Sequence, residues 1–211
     1  MRKIGLLGGT FDPIHIGHLI IAEWVRQALS LEKIIFIPSG HPPHKEESQV
    51  TPAKHRLAMV RLSTQGDPFF ECSDYEVKKQ GKSYTVETLQ WFRNRLGAGV
   101  RLFWIIGSDS LLDLPNWYQN HRLLQLCDIV VYPRPGYPPE DAVEPFRSAA
   151  IVLDTPQFEF SSTSIRKRIA EGYSVRYLLH PDVDEYIRRH RIYTLRKEEA
   201  AAGVEVSRFK R

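Results

Sequence analysis

The sequence predicts an α/β protein built on a doubly wound parallel sheet. Short apolar runs suited to buried strands recur over residues 3–153, and segments with helical spacing of apolar residues separate them. Strands that alternate with helices favour parallel pairing through right-handed crossovers. A chain of 211 residues, 42% hydrophobic and 26% charged, has enough length and apolar content for one such domain.

Six strands are predicted, at residues 3–7, 33–38, 69–72, 101–106, 128–132 and 150–153. Apolar stripes at helical spacing predict helices between them, marked by Leu19, Ala22, Val25 and Leu29, by Leu57, Val60 and Leu62, and by Val86, Leu89, Phe92 and Leu96. After residue 169 the pattern is helical only, and residues 180–190 form its best candidate. Residues 1–194 are therefore predicted to form one domain, and the polar residues 195–211 a loosely held tail.

Composition and charge argue against several classes of protein. No apolar stretch approaches the length of a transmembrane helix, and the first residues lead into glycines rather than a signal-peptide core. Cys72 and Cys127 are too far apart in sequence for a CxxC site, so the cytoplasm is the expected location. The net charge of +4 is mild, and Arg188, Arg189 and Arg191 fit a solvated helix face better than a nucleic-acid surface.

The segment GGTFDPIHIGH, residues 8–18, follows the first predicted strand. Gly8 and Gly9 are predicted to allow close approach of the backbone and a positive φ, as a phosphate-binding turn requires. His15 and His18 are predicted to share one face at the first turn of a helix, where free amides favour an anion. Two alternatives are incidental histidines in a glycine loop and a metal site at Asp12, His15 and His18, although no second ligand cluster accompanies it.

Two further segments are predicted to lie at the same rim, because parallel strands end along one edge of a sheet. PSGHPPHK follows the second strand, and its adjacent pair Pro42 and Pro43 restricts a loop in which Lys45 can meet a phosphate; a solvated surface lysine is the alternative. GSDSL follows the fourth strand, and Asp109 beside Gly107 is predicted to accept hydrogen bonds from ribose hydroxyls.

Two predicted helix starts complete the candidate site. In SYTVETL, Ser83 or Thr85 is predicted to cap a helix whose first amides can receive a small carboxylate. In FSSTSIRKRI, Ser161 or Ser162 is predicted to cap a helix that carries Arg166 near its first turn. The helix dipole disfavours a cation there, unless a bound polyphosphate reverses the effect.

These segments together resemble the nucleotidylyltransferase superfamily. The form GGTFDPxHxGH is similar to that of the nicotinate mononucleotide adenylyltransferase family, as are PPHK, SYTVETL and a WxxxxxL element that starts at Trp117. FSSTSIR is similar to the superfamily motif ISSTxIR, with Phe160 in place of the isoleucine. The resemblance extends over the chain to about residue 193.

The resemblance implies a Rossmann-like fold with a helical C-terminal part, and transfer of AMP from ATP to nicotinate mononucleotide. It implies that the catalytic residues are His15, His18, Lys45 and Arg166. It implies ATP binding by Gly8, Gly9, Thr10, Phe11, His15, His18, Gly107, Asp109, Ser162, Thr163 and Arg166. It implies that the acceptor nucleotide binds His44, Lys45, Tyr84, Thr85 and Trp117, the last by stacking on the pyridine ring. Mg²⁺ is expected on the ATP phosphates rather than in a protein metal site.

Three alternatives remain open at this point. The acceptor could be nicotinamide mononucleotide, alone or together with the acid. Phosphopantetheine adenylyltransferase shares the glycine–histidine motif, but SYTVETL and Trp117 argue against it. A nucleotide-sensing module without turnover has no need of all four proposed catalytic residues. Neither a nucleic acid nor a membrane is an expected partner, and the sequence is compatible with a homo-oligomer.

Overall fold

The computed structural model of the protein describes residues 1–42 and 46–194. Its centre is a six-stranded sheet in the order β3-β2-β1-β4-β5-β6, and every pairing is parallel. The strands are β1 (Arg2–Gly9), β2 (Lys33–Pro38), β3 (Phe70–Cys72), β4 (Val100–Gly107), β5 (Asp128–Tyr132) and β6 (Ile151–Val152). The predicted doubly wound parallel sheet is confirmed.

Helices connect the strands and follow the last one. They are α1 (Ile16–Ala28), α2 (Ala53–Thr64), α3 (Tyr75–Lys78), α4 (Thr85–Leu96), α5 (Ser108–Asp113), α6 (Leu123–Leu126), α7 (Phe146–Ala149), α8 (Ser162–Ala170) and α9 (Pro181–His190). The predicted helical C-terminal part is confirmed by α8 and α9. The short helices α3, α5, α6 and α7 were not predicted, because one or two turns are too short to show a periodic apolar stripe.

The core lies in two layers, one on each face of the sheet. Successive strand residues point to opposite faces, so in β1 Leu6 packs on one side and Leu7 on the other. Buried residues of α1, α2, α8 and α9 cover one face, whereas those of α4, α5, α6 and α7 cover the other. Within the described ranges, no helix combines the length and apolar character that a bilayer crossing needs.

The strand order reverses between β1 and β4, and this places the site. The chain leaves β1 toward α1 on one face and leaves β4 toward α5 on the other. The two connections diverge at the carboxyl ends of the strands and open a crevice between them, the usual ligand position in such sheets. The predicted tail, residues 195–211, lies outside the described residues.

Candidate active site

A cavity of about 890 Å³ occupies this crevice. Each predicted site residue that the structure describes lines its wall, namely Gly8, Gly9, Thr10, Phe11, His15, His18, Tyr84, Thr85, Gly107, Asp109, Trp117, Ser162, Thr163 and Arg166. His44 and Lys45 lie outside the described residues. The loops after β1, β2, β4 and β5 and the starts of α4 and α8 thus meet around one space.

The two histidines form a stacked pair at the start of α1. Their ring centroids lie 3.7 Å apart, with an interplanar angle of 23°. His15 is the N-cap residue, and its backbone amide donates a hydrogen bond of 3.2 Å to Nδ1 of His18. Because Nδ1 accepts this bond, neutral His18 carries its proton on Nε2. The predicted side-by-side placement is confirmed, although His15 precedes the helix.

Burial keeps both imidazoles neutral at ordinary pH. It is the largest influence on His15, whose pKa falls from 6.5 to about 4, and the charge of Arg134 lowers that pKa further. Burial likewise lowers the pKa of His18 well below its ordinary value, with smaller effects from His15 and Arg134. A bound anion would raise the pKa of both rings again. Hydrogen bonds from the two imidazoles to such an anion would therefore strengthen as its negative charge grows.

The backbone conformation of the glycines in the first motif differs from its prediction. Gly8 and Gly9 end β1, and neither has a positive φ, so that expectation is wrong. A Cβ on Gly8 would lie 2.6 Å from the Trp104 ring, which leaves no room for a side chain. The positive φ occurs instead at Phe11, at 49°, where the loop turns toward Asp12.

Helix α8 is fastened to the loop after β1. Of the two predicted caps, Ser161 is the N-cap. It forms a reciprocal capping box with Ser164, in which each serine hydroxyl accepts from the other's amide. The Ser162 hydroxyl donates to the Pro13 carbonyl at 2.9 Å. Arg166, the fifth helix residue, donates from Nη1 to the Asp12 carbonyl at 2.8 Å while lining the cavity. The segments GGTFDPIHIGH and FSSTSIRKRI therefore form one continuous side of the cavity.

The two carboxylate oxygens of Asp109 are in different environments. Its Oδ2 accepts from Arg134 at 2.8 Å, whereas its buried Oδ1 has no hydrogen-bond partner among the described residues. An ionised carboxylate only accepts, so Oδ1 suits a hydroxyl donor. Sequence reasoning missed Arg134, although its position just after β5 places it at the same sheet edge.

The start of α4 differs from its prediction. Its N-cap is Tyr84, whose side chain makes no capping hydrogen bond, so neither Ser83 nor Thr85 caps the helix. The Ser83 hydroxyl instead accepts from the Gly40 amide at 3.1 Å and holds the loop after β2. First-turn amides have no partner within a helix, and those of Thr85 and Val86 point out of this end.

Trp117 follows α5 and is fixed by a hydrogen bond. Its Nε1 donates to Oδ2 of Asp113 at 3.1 Å. Beside it, the rings of Tyr84 and Tyr118 lie 4.5 Å apart, so aromatic groups enclose the end of the cavity near α4. Such a wall suits a flat heteroaromatic ring.

Comparisons with known proteins show the family of this chain. The cytidylyltransferase-like family matches residues 6–168. A protein of Synechococcus sp. (strain JA-3-3Ab), named "Probable nicotinate-nucleotide adenylyltransferase", is 43% identical over 199 residues, which cover 91% of this chain and 95% of that protein. A Thermomicrobium roseum protein of the same name is 40% identical and covers 92% of each chain. This chain belongs to the nicotinate-nucleotide adenylyltransferase family.

Solved structures show the adenylyltransferase fold as well. A Plasmodium falciparum nicotinic acid mononucleotide adenylyltransferase complexed with NaAD matches with a TM-score of 0.75, at 18% identity, over 92% of this chain and 98% of its own. The same protein complexed with APC matches with a TM-score of 0.73, at 17% identity over the same shares. The sequence relatives confirm the predicted family, and the solved structures confirm the predicted fold.

Proposed function

We propose that this protein transfers AMP from ATP to nicotinate mononucleotide and releases pyrophosphate. The observation that carries the proposal is a shared cavity, in which the His15–His18 pair and Arg166 face the same space as the start of α4 and Trp117. A volume of about 890 Å³ accommodates two nucleotides in contact. The product, nicotinate adenine dinucleotide, is the acid form of NAD, so we place the protein in cytoplasmic NAD biosynthesis.

The reaction needs positioning and charge neutralisation rather than a general base. A phosphate oxygen of nicotinate mononucleotide attacks the α-phosphorus of ATP and forms the new P–O bond. The bond from this phosphorus to the bridging oxygen of the β-phosphate breaks, and pyrophosphate leaves with the electron pair. The nucleophile is already an anion, so the protein contributes alignment and stabilisation of developing charge.

The histidine pair and α8 are suited to the phosphates. The Nε2–H of His18 can donate to an α-phosphate oxygen, and His15 stacks beside it at the helix start. The capped N-terminus of α8, with Ser162 and Thr163 on the cavity wall, and the cation of Arg166 suit the β- and γ-phosphates. We assign Lys45 to the same phosphates from its motif.

The opposite end of the cavity suits the acceptor. The outward amides of Thr85 and Val86 can receive the nicotinate carboxylate, and Trp117 can stack on the pyridine ring. Between the two ends, the unpartnered Oδ1 of Asp109 suits a ribose hydroxyl of ATP. A carboxamide would direct its NH₂ at these donors, and a buried donor left unpaired costs about 1–3 kcal/mol.

We expect Mg²⁺ to accompany ATP. Outside the two undescribed gaps, no group of three acidic, histidine or cysteine side chains could hold a metal ion. Both carboxylate oxygens of Asp12 are already engaged, by the Thr51 amide and the Tyr193 hydroxyl. Phosphate oxygens and water therefore suit Mg²⁺ as ligands, and the ion would neutralise part of the phosphate charge.

The proposal is tested by measuring pyrophosphate release with ATP, Mg²⁺ and each acceptor in turn. We expect kcat/KM for nicotinate mononucleotide to exceed that for nicotinamide mononucleotide by roughly tenfold to a hundredfold, and no turnover with phosphopantetheine. Equal values for the acid and the amide would contradict acid preference and leave adenylyl transfer standing. ATP binding without pyrophosphate release from any acceptor would instead favour a sensing module.

A further inference from the structure

Two large residues near the site have a backbone conformation that they rarely adopt. Phe11, in the loop that leads to the histidines, has a φ of 49°, and Tyr193, beyond the end of α9, has a φ of 66°. Bulky side chains disfavour this left-handed region, and such residues persist there only when surrounding contacts hold them. Hydrogen bonds connect the two positions.

The first of these contacts comes from Arg56 of α2, which is only 1% exposed. Its guanidinium donates to three backbone carbonyls, from Nε to Thr51 at 2.7 Å, from Nη1 to Thr10 at 2.8 Å and from Nη2 to Gly40 at 3.0 Å. A single cation thereby joins the loops after β1 and β2 and the segment before α2. The planar fork of arginine is suited to such a junction.

The second contact is the Asp12 carboxylate, which is 4% exposed. Its Oδ2 accepts from the Thr51 amide at 3.2 Å, and its Oδ1 accepts from the Tyr193 hydroxyl at 2.6 Å. Burial and the nearby Asp12 charge raise the pKa of Tyr193, so its hydroxyl stays protonated and donates. Thr10 and Asp12 flank Phe11, so the residues on both sides of the left-handed position are held.

The third link is the Phe11 ring itself. It is buried and meets the His18 ring edge-on, with centroids 5.1 Å apart. We propose that Arg56, Asp12 and Tyr193, here termed the loop clamp, are positioning residues that hold Phe11 and, through it, place His18 against the reacting phosphate. This inference rests on the proposed function, because the placement matters for the transfer step.

The decisive variant is Tyr193→Phe, which removes one hydroxyl and leaves the ring. The matched control is Tyr186→Phe in α9, since the Tyr186 hydroxyl also has a side-chain partner, Nδ1 of His55 at 2.9 Å. Below the unfolding temperature of both variants, we expect Tyr193→Phe to lower kcat by about ten- to a hundredfold and to leave KM for nicotinate mononucleotide nearly unchanged. Tyr186→Phe should keep the kcat of the unaltered protein.

A second variant, Arg56→Lys, keeps the positive charge but cannot reach three carbonyls at once, so kcat should again fall while KM for the acceptor holds. A kcat for Tyr193→Phe that matches the control would overturn the loop clamp. A second readout is the imidazole proton resonance of His18, which the neighbouring Phe11 and His15 rings shift. We expect it to move in Tyr193→Phe and not in Tyr186→Phe.

The two proposals fail in different ways. Absence of pyrophosphate release by the unaltered protein would overturn the proposed function. The His18 resonance would still test the loop clamp in that case. An unmoved His18 resonance in Tyr193→Phe would overturn the clamp even in an active enzyme.

Discussion

At the scale of single residues, side-chain partners decide what each candidate group can do. His18 and Asp109 each have one polar atom engaged, by the His15 amide and by Arg134 respectively. These bonds fix the orientation of the ring and of the carboxylate and direct the remaining polar atom elsewhere. A fixed donor or acceptor needs no reorganisation during the reaction, the condition under which electrostatic stabilisation is largest.

Replacing His18 by alanine should lower kcat by about 10²–10³-fold, with a smaller effect on KM for ATP, because the lost donor acts mainly on charge that develops in the transition state. The measurement is steady-state pyrophosphate release over a range of ATP concentrations. His190→Ala is the control, since this histidine is exposed at the end of α9. A kcat for His18→Ala close to that of the control would remove His18 from the mechanism.

At the scale of elements, helix starts carry much of the site. Helices α1, α4 and α8 all begin at the cavity, but they are capped in different ways. Ser161 caps α8 with its own side chain, whereas α4 starts without a side-chain cap, so no capping side chain engages its first amides. A side-chain cap anchors α8, and the lack of one at α4 leaves the first amides of that helix available to the acceptor that we propose.

Replacing Ser161 by alanine should lower the free energy of unfolding by about 1 kcal/mol, because it removes the acceptor for the Ser164 amide. Urea unfolding followed by circular dichroism measures the change. Ser148→Ala serves as the comparison, because Ser148 is an exposed residue of the short helix α7. If the two variants lose equal stability, the Ser161 hydroxyl contributes nothing specific to α8.

At the scale of the whole molecule, the sequence predicts the features that depend on neighbouring residues and misses those that depend on residues far apart in the chain. The strands were predictable because each is a short apolar run, and the rim motifs because each directly follows a strand or starts a helix. The order of the strands and the contacts of Arg56 and Arg134 depend on residues far away in sequence. The prediction that Ser83 caps α4 was wrong, because its hydroxyl binds the Gly40 amide, which lies 43 residues away and leaves no local signal in the sequence.

Stability of the whole fold should depend on pH through the buried histidines. The folded-state pKa of His15, about 4, lies below the ordinary value of 6.5, so at intermediate pH the unfolded chain binds a proton that the folded chain does not. The associated stability is present above about pH 6.5 and is lost as the pH falls toward the folded value. For His15 the loss from about pH 7 to about pH 5 is about 2 kcal/mol.

Urea unfolding at both pH values, for the unaltered protein and for His15→Gln, measures this contribution. The variant should lose less stability on acidification by about 2 kcal/mol, since its amide does not titrate. His190→Gln, at an exposed histidine, should behave like the unaltered protein. The same loss in all three proteins would show that His15 is not the group responsible.

The contact between Gly8 and Trp104 has a consequence for the genetics of this protein. The indole ring fills the space that a side chain at position 8 would need. The two positions are therefore not independent: a larger residue at position 8 forces the Trp104 ring to shift, and a smaller residue at position 104 would relieve that clash. We therefore expect the two substitutions to be non-additive, with Gly8→Ala less destabilising in a variant that already has a smaller residue at position 104.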